Sequence, residues 1–66
     1  MKIYINDIET EVPDGANVTE IFTQLDESAA GVAVAVNGTL VKRQAWESLT
    51  LNDGDRMLII KAAYGG

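Results

Sequence analysis

The run Val32-Ala33-Val34-Ala35-Val36, closed at once by Asn37-Gly38, constrains this chain more than any other stretch. Val at alternate positions favours a strand. The near-continuous apolar character is that of an interior strand, covered on one face and closely approached on the other. Asn-Gly supplies the two positive-φ positions that a type I′ turn needs, so residues 39–42 should pair back on the strand. The chain has 66 residues, near the size at which folding hides only about 60% of the surface of the unfolded form. That leaves room for one domain over residues 1–66 and none for a deep substrate cleft.

The flanking segments supply the other elements. Residues 2–6 alternate, with Ile3 and Ile5 on one side and Lys2, Tyr4 and Asn6 on the other, as in a half-buried strand. Asn6-Asp7 is a turn signal, so residues 8–12 can return antiparallel before Pro13-Asp14-Gly15 ends the hairpin. Asn17 followed by Glu20 reads as a capping box with Asn in the first position, which starts a helix at Val18. Val18, Ile21, Phe22 and Leu25 form one apolar stripe along that helix, with Glu20, Gln24 and Asp26 turned to water. Trp46, in a segment long enough for one helical turn, reads as a satellite of the core. Asn52-Asp53-Gly54-Asp55 is a turn; the further ligands and distal Glu of a helix-flanked calcium loop are missing after it.

Residues 56–62 form the last strand, and Met57, Leu58, Ile59 and Ile60 make both of its faces apolar. One face meets the core. The other, Leu58 and Ile60 with Arg56 and Ala62, forms an apolar patch on the open face of the sheet, of the kind that marks a partner site. Behind it come Ala63, Tyr64, Gly65 and Gly66. Without Cβ atoms, a Gly-Gly end can enter a narrow channel and lay its carboxylate against a nucleotide or metal.

Composition narrows the function classes. The chain contains neither Cys nor His, which removes disulfides, thiolate metal sites, thiol nucleophiles and the usual general base together. Intrinsic catalysis and a resident metal are not expected. Five basic against ten acidic residues give a net charge of −5, which disfavours nucleic acid and suits a basic protein partner. No apolar run reaches the roughly 18 residues of a membrane span, and MKIYIND does not read as a signal peptide, so a cytoplasmic location is expected.

The order strand, strand, helix, strand, strand, helical turn, strand suggests an α+β domain: a mixed sheet of about five strands with one main helix on one face. With the first and last strands central, it resembles the β-grasp, or ubiquitin-like, fold. The segments MKIYIND, ANVTEIFTQLD, VAVAVNGTLVKRQAWESL, DGDR and AAYGG carry a likeness along the whole chain to the ThiS family of thiamine-biosynthesis sulfur carriers. Tyr64 departs from that pattern, where a smaller residue is expected.

The resemblance implies a protein co-substrate. The Gly66 carboxylate would be adenylated with ATP and Mg by a ThiF-type adenylyltransferase, and a persulfide-bearing sulfurtransferase system would convert it to a thiocarboxylate. A thiazole synthase of the ThiG type would then accept the sulfur. Gly65, Tyr64 and Ala63 would form the flexible tail (residues 62–66) that enters the partner, while Leu58, Ile60, Arg56 and Ala62 would dock it. A molybdopterin-synthase small-subunit-like carrier, a ubiquitin-like protein modifier and a plain interaction domain are the alternatives.

Overall fold

The computed structural model describes residues 1–26 and 30–61. Five strands and one principal helix follow one another: β1 (Lys2–Ile5), β2 (Ile8–Glu11), α1 (Val18–Leu25), β3 (Val32–Val36), β4 (Thr39–Val41), a 3₁₀ turn (Arg43–Ala45) and β5 (Arg56–Lys61). The sheet order is β2-β1-β5-β3-β4, so the last strand in sequence is the central one in space. It runs parallel to β1 and antiparallel to β3, which makes the sheet mixed.

Both hairpins turn where the sequence places them. Asn6 and Asp7 have φ of 50° and 67°, and Asn37 and Gly38 have φ of 51° and 84°. Positive φ at both central residues matches the right-handed twist of the strands they join. The resulting registers pair Ile5 with Ile8 and Val36 with Thr39.

Helix α1 begins on the capping box: Asn17 Oδ1 accepts from the Glu20 amide at 2.8 Å, and the Glu20 carboxylate accepts from the Asn17 amide at 3.0 Å. Two of the helix's otherwise unpaired amides are thereby satisfied. The helix ends at Asp26, which adopts a left-handed conformation. Its Val18, Ile21 and Phe22 are buried against Ile3, Ile5, Val34 and Met57 from the sheet, with Leu25 packed at the margin.

Trp46 corrects its expected place at the margin of the core. It is 5% exposed and belongs to the main core. Its ring stacks on Phe22 with centroids 5.0 Å apart, its Nε1 donates to the Val41 carbonyl at 3.2 Å, and the Arg43 guanidinium lies 4.6 Å from the ring centroid. The chain beyond β4 crosses beneath the start of α1, and the Trp46 carbonyl accepts from the Val18 amide at 3.1 Å. An amphipathic indole fits that position, because its one donor is satisfied while the ring fills the core.

The start of β1 is tied to the β2 exit. The Met1 amine donates to the Val12 carbonyl at 2.7 Å and to Asp14 Oδ1 at 2.8 Å. The hydrogen bond to Asp14 raises the amine's pKa above its ordinary value, and the same bond lowers that of Asp14.

Candidate functional site

A single helix covers one face of the sheet, and the alternation along β5 divides its apolar residues between the two sides. Met57 points into the core at 2% exposure, whereas Leu58 and Ile60 stand on the opposite, open face at 48% and 43%. On β3 the cross-strand partners of these two are Ala35 and Ala33. The small alanines leave a low strip beside the larger residues of β5. On its far side Ala35 pairs with Leu40 of β4, which is 66% exposed. Leu40, Ala35 and Leu58 therefore form one row across three strands.

Leu40 was not singled out from the sequence, although the signal was present. The Asn37-Gly38 turn fixes Val36 opposite Thr39, and the next pair must then be Ala35 and Leu40. Ala35 and Leu58 of this row also line a shallow recess of about 200 Å³, together with Tyr4, Asn6, Gly38 and Arg56 among others.

Arg56 lies at the β1 side of this surface. Its guanidinium sits 4.8 Å from the centroid of the Tyr4 ring, and its Nη1 is 3.6 Å from Asp7 Oδ1. Both partners of that ion pair are largely exposed, so solvent screening leaves it little strength and Arg56 keeps its charge available at the edge of the apolar row. Leu58, Ile60 and Arg56 are thus brought to one face. Ala62, the fourth residue expected there, lies outside the described residues, as do Ala63, Tyr64, Gly65 and Gly66.

Nothing in the described residues assembles catalytic machinery. They include no group of three or more Asp or Glu side chains placed to hold a metal ion, and the pKa shifts, those of Met1 and Asp14, fall at the hairpin base away from the open face. Among the described residues no helix is long and apolar enough to cross a membrane. What the described fold offers is a five-stranded sheet with an apolar surface on the face opposite the helix.

These features define a ubiquitin-like β-grasp protein: a mixed sheet with the last described strand in the middle and one principal helix across it. A ubiquitin-like protein from the archaeon Caldiarchaeum subterraneum shares the fold, with a TM-score of 0.50 and 24% identity over 97% of this chain and 96% of that one. Within that class the chain belongs to the ThiS family, whose sequence model matches residues 2–66. The sulfur carrier protein ThiS of Escherichia coli (strain K12) is 36% identical over 66 residues, the whole length of both chains. The crystal structure of the thiamine biosynthesis protein ThiS from Geobacter metallireducens superposes with a TM-score of 0.87 at 30% identity, again over 100% of each chain.

Proposed function

We propose that Gly66 is the working group of this chain and that the folded body serves to present it. A ThiS-family protein is a sulfur carrier of thiamine biosynthesis and not a catalyst. The observation that carries the reading is the family match, which runs from residue 2 to residue 66 and so includes Tyr64-Gly65-Gly66.

An α-carboxylate, with a pKa near 3.5, is ionised at neutral pH and is a poor electrophile. Reaction with ATP, with Mg on the nucleotide, converts it to an acyl adenylate and releases pyrophosphate. The terminal sulfur of a persulfide on a sulfurtransferase system then attacks the acyl carbon and displaces AMP. A thiol of that system cleaves the resulting acyl disulfide, becoming a disulfide itself and releasing a thiocarboxylate on Gly66. The partner for the first step is an adenylyltransferase of the ThiF type, and the acceptor of the sulfur is a thiazole synthase of the ThiG type. A cytoplasmic setting suits such partners. Because the sulfur rides on the backbone terminus, the chain needs no cysteine of its own.

The residues from 62 to 66 can extend about 3.3–3.6 Å each, enough to thread from a docked body toward an enclosed nucleotide site. Leu58 and Ile60 form the docking surface in this reading, with Arg56 and Ala62 beside them. The surrounding row, now including Leu40, supports it: it is apolar, exposed, and crosses β5, the last described strand before Gly66.

Intact mass spectrometry after incubation with ATP, a ThiF-type enzyme and a sulfur donor tests the proposal. Replacement of one terminal oxygen by sulfur, mapped to Gly66, is expected. A Gly66→Val variant should keep its fold and fail to be adenylated; normal adenylation of that variant, or an unchanged wild-type mass beside an active control carrier, overturns the assignment.

A further inference from the structure

The pairing of β1 with β5 stops short of the end of β5. Its register runs from Tyr4 opposite Arg56 to Ile5 opposite Met57. The rungs on that side are Tyr4 N–H to the Asp55 carbonyl and Asn6 N–H to the Met57 carbonyl, both at 2.9 Å. In a parallel ladder the next residue of β5 to face β1 is Ile59, which should exchange both of its backbone groups with the continuing β1 strand. The chain cannot continue there, because Asn6 takes a left-handed conformation with φ of 50° and turns into the hairpin.

The side chain of Asn6 takes over where its backbone leaves. The Ile59 amide donates to Asn6 Oδ1 at 2.8 Å, and Asn6 Nδ2 donates to the Ile59 carbonyl at 3.3 Å, across 53 residues of sequence. A primary carboxamide carries the same acceptor and donor as a peptide group, so it supplies both halves of the missing rung. Without it, the Ile59 amide and carbonyl would have no β1 partner at the end of the strand from which the C-terminal segment departs. Asp or Gly at this position would satisfy the turn, but neither carries both hydrogen-bonding functions.

We propose that Asn6 is a positioning residue for the end of β5: its carboxamide completes the β1–β5 ladder at Ile59 and so holds in place the last described strand before Gly66. The functional half of this inference rests on the reading of Gly66 as the adenylated group. Asn6 touches no reacting atom. It acts through Ile59 and the rigidity of β5, by lowering the conformational freedom that must be lost when the segment enters a partner.

The decisive variant is Asn6→Gly, which accepts the positive φ without strain and removes only the carboxamide. Asn6→Asp keeps the acceptor for the Ile59 amide and loses the donor. Amide hydrogen exchange by NMR should show Ile59 exchanging about fivefold faster or more in Asn6→Gly, from the loss of its one hydrogen-bond acceptor. Amides of β1 and of the β3–β4 hairpin should be unchanged, and Asn6→Asp should be intermediate. In adenylation assays with a ThiF-type enzyme, the carrier concentration for half-maximal rate should rise about three- to tenfold in Asn6→Gly with the saturating rate unchanged.

Unaltered exchange at Ile59 overturns the clamp. Faster exchange with an unaltered half-saturation overturns its positioning role, as does a fall in the saturating rate alone. Failure of the wild-type chain to be adenylated at all would instead count against the reading of Gly66, and the exchange data would then judge the clamp by themselves.

Discussion

Met57 and Leu58 are neighbours in β5, similar in size and both apolar, yet one is 2% exposed and the other 48%. The strand alternates, and only one of its faces has a helix to meet. Met57 belongs to the same buried cluster as Ile3, Ile5, Ile21, Phe22 and Trp46, while Leu58 pairs with Ala35 and lines with it the recess beside Tyr4 and Arg56. The difference shows that hydrophobicity serves two purposes in this sheet. On the covered face it drives folding by removing apolar surface from water. On the open face it contributes little to the isolated chain, and what it offers is area for another molecule to bury.

The strongest way to break this division is to remove a covered residue. Trp46→Ala deletes the ring stacked on Phe22 and should cost about 3–5 kcal/mol. A 66-residue chain has roughly 3–10 kcal/mol in total. Urea titration followed by circular dichroism should find the unfolding midpoint of this variant sharply lowered; a loss below about 1 kcal/mol would mean that Trp46 is not part of the core. Met57→Ala should follow at about 2–5 kcal/mol.

Substitution of an uncovered residue should show the opposite profile. Leu58→Thr keeps a good strand former and should change stability by less than about 1 kcal/mol. Leu58→Asp should raise the carrier concentration needed for half-maximal adenylation. If its adenylation curve overlays that of the wild type, Leu58 does not dock; the same measurement on Leu40→Asp asks how far across the sheet the contact extends.

Smaller effects sharpen the account of the covered layer. Asn17→Ala removes both the cap of α1 and the hydrogen bond from Asn17 Nδ2 to the Glu47 carbonyl. A loss of about 1–2 kcal/mol is expected in urea unfolding, and no measurable loss would show that the packing of Phe22 alone holds the helix start.

The smallest effect should be that of Asp14→Asn, and it has a distinctive pH profile. The lowered pKa of Asp14 means that its contribution is present above the ordinary carboxylate value and is lost as pH falls through the lower, folded-state value. The raised pKa of the Met1 amine means that its share is complete below the ordinary amine value and disappears as pH rises through the higher, folded-state one. The gap between wild type and Asp14→Asn in urea midpoint should therefore be widest near neutrality and close toward both extremes. A gap that stays constant with pH would rule out the pair as its cause.

Local rules account for much of the architecture. Asn17 with Glu20 sets the first turn of α1, Asn37-Gly38 sets the β3–β4 register, and the alternation of Val and Ala marks β3, because each of these depends on φ preferences or side-chain reach within a few residues. The same rules place Leu58 and Ile60 on one face of β5. The likeness along the whole chain, the Gly-Gly pair included, carries the family.

Other features arise only when distant segments meet. That β5 becomes the central strand depends on pairing with both β1 and β3, partners remote in sequence whose hydrogen bonds are chemically alike. Trp46 has the same apolar character at a margin as in a core, and its stacking on Phe22 follows from the path that residues 43–51 take under the helix start. Asn6 reads locally as a turn residue, and nothing near it in the chain points to Ile59. The sequence by itself determined the elements and the two tight turns, since these follow from short-range sterics and covalent structure. The tertiary structure alone decided that Leu40 joins Leu58 across Ala35 and that a carboxamide completes the last strand, because both require strands brought side by side by burial of the common core.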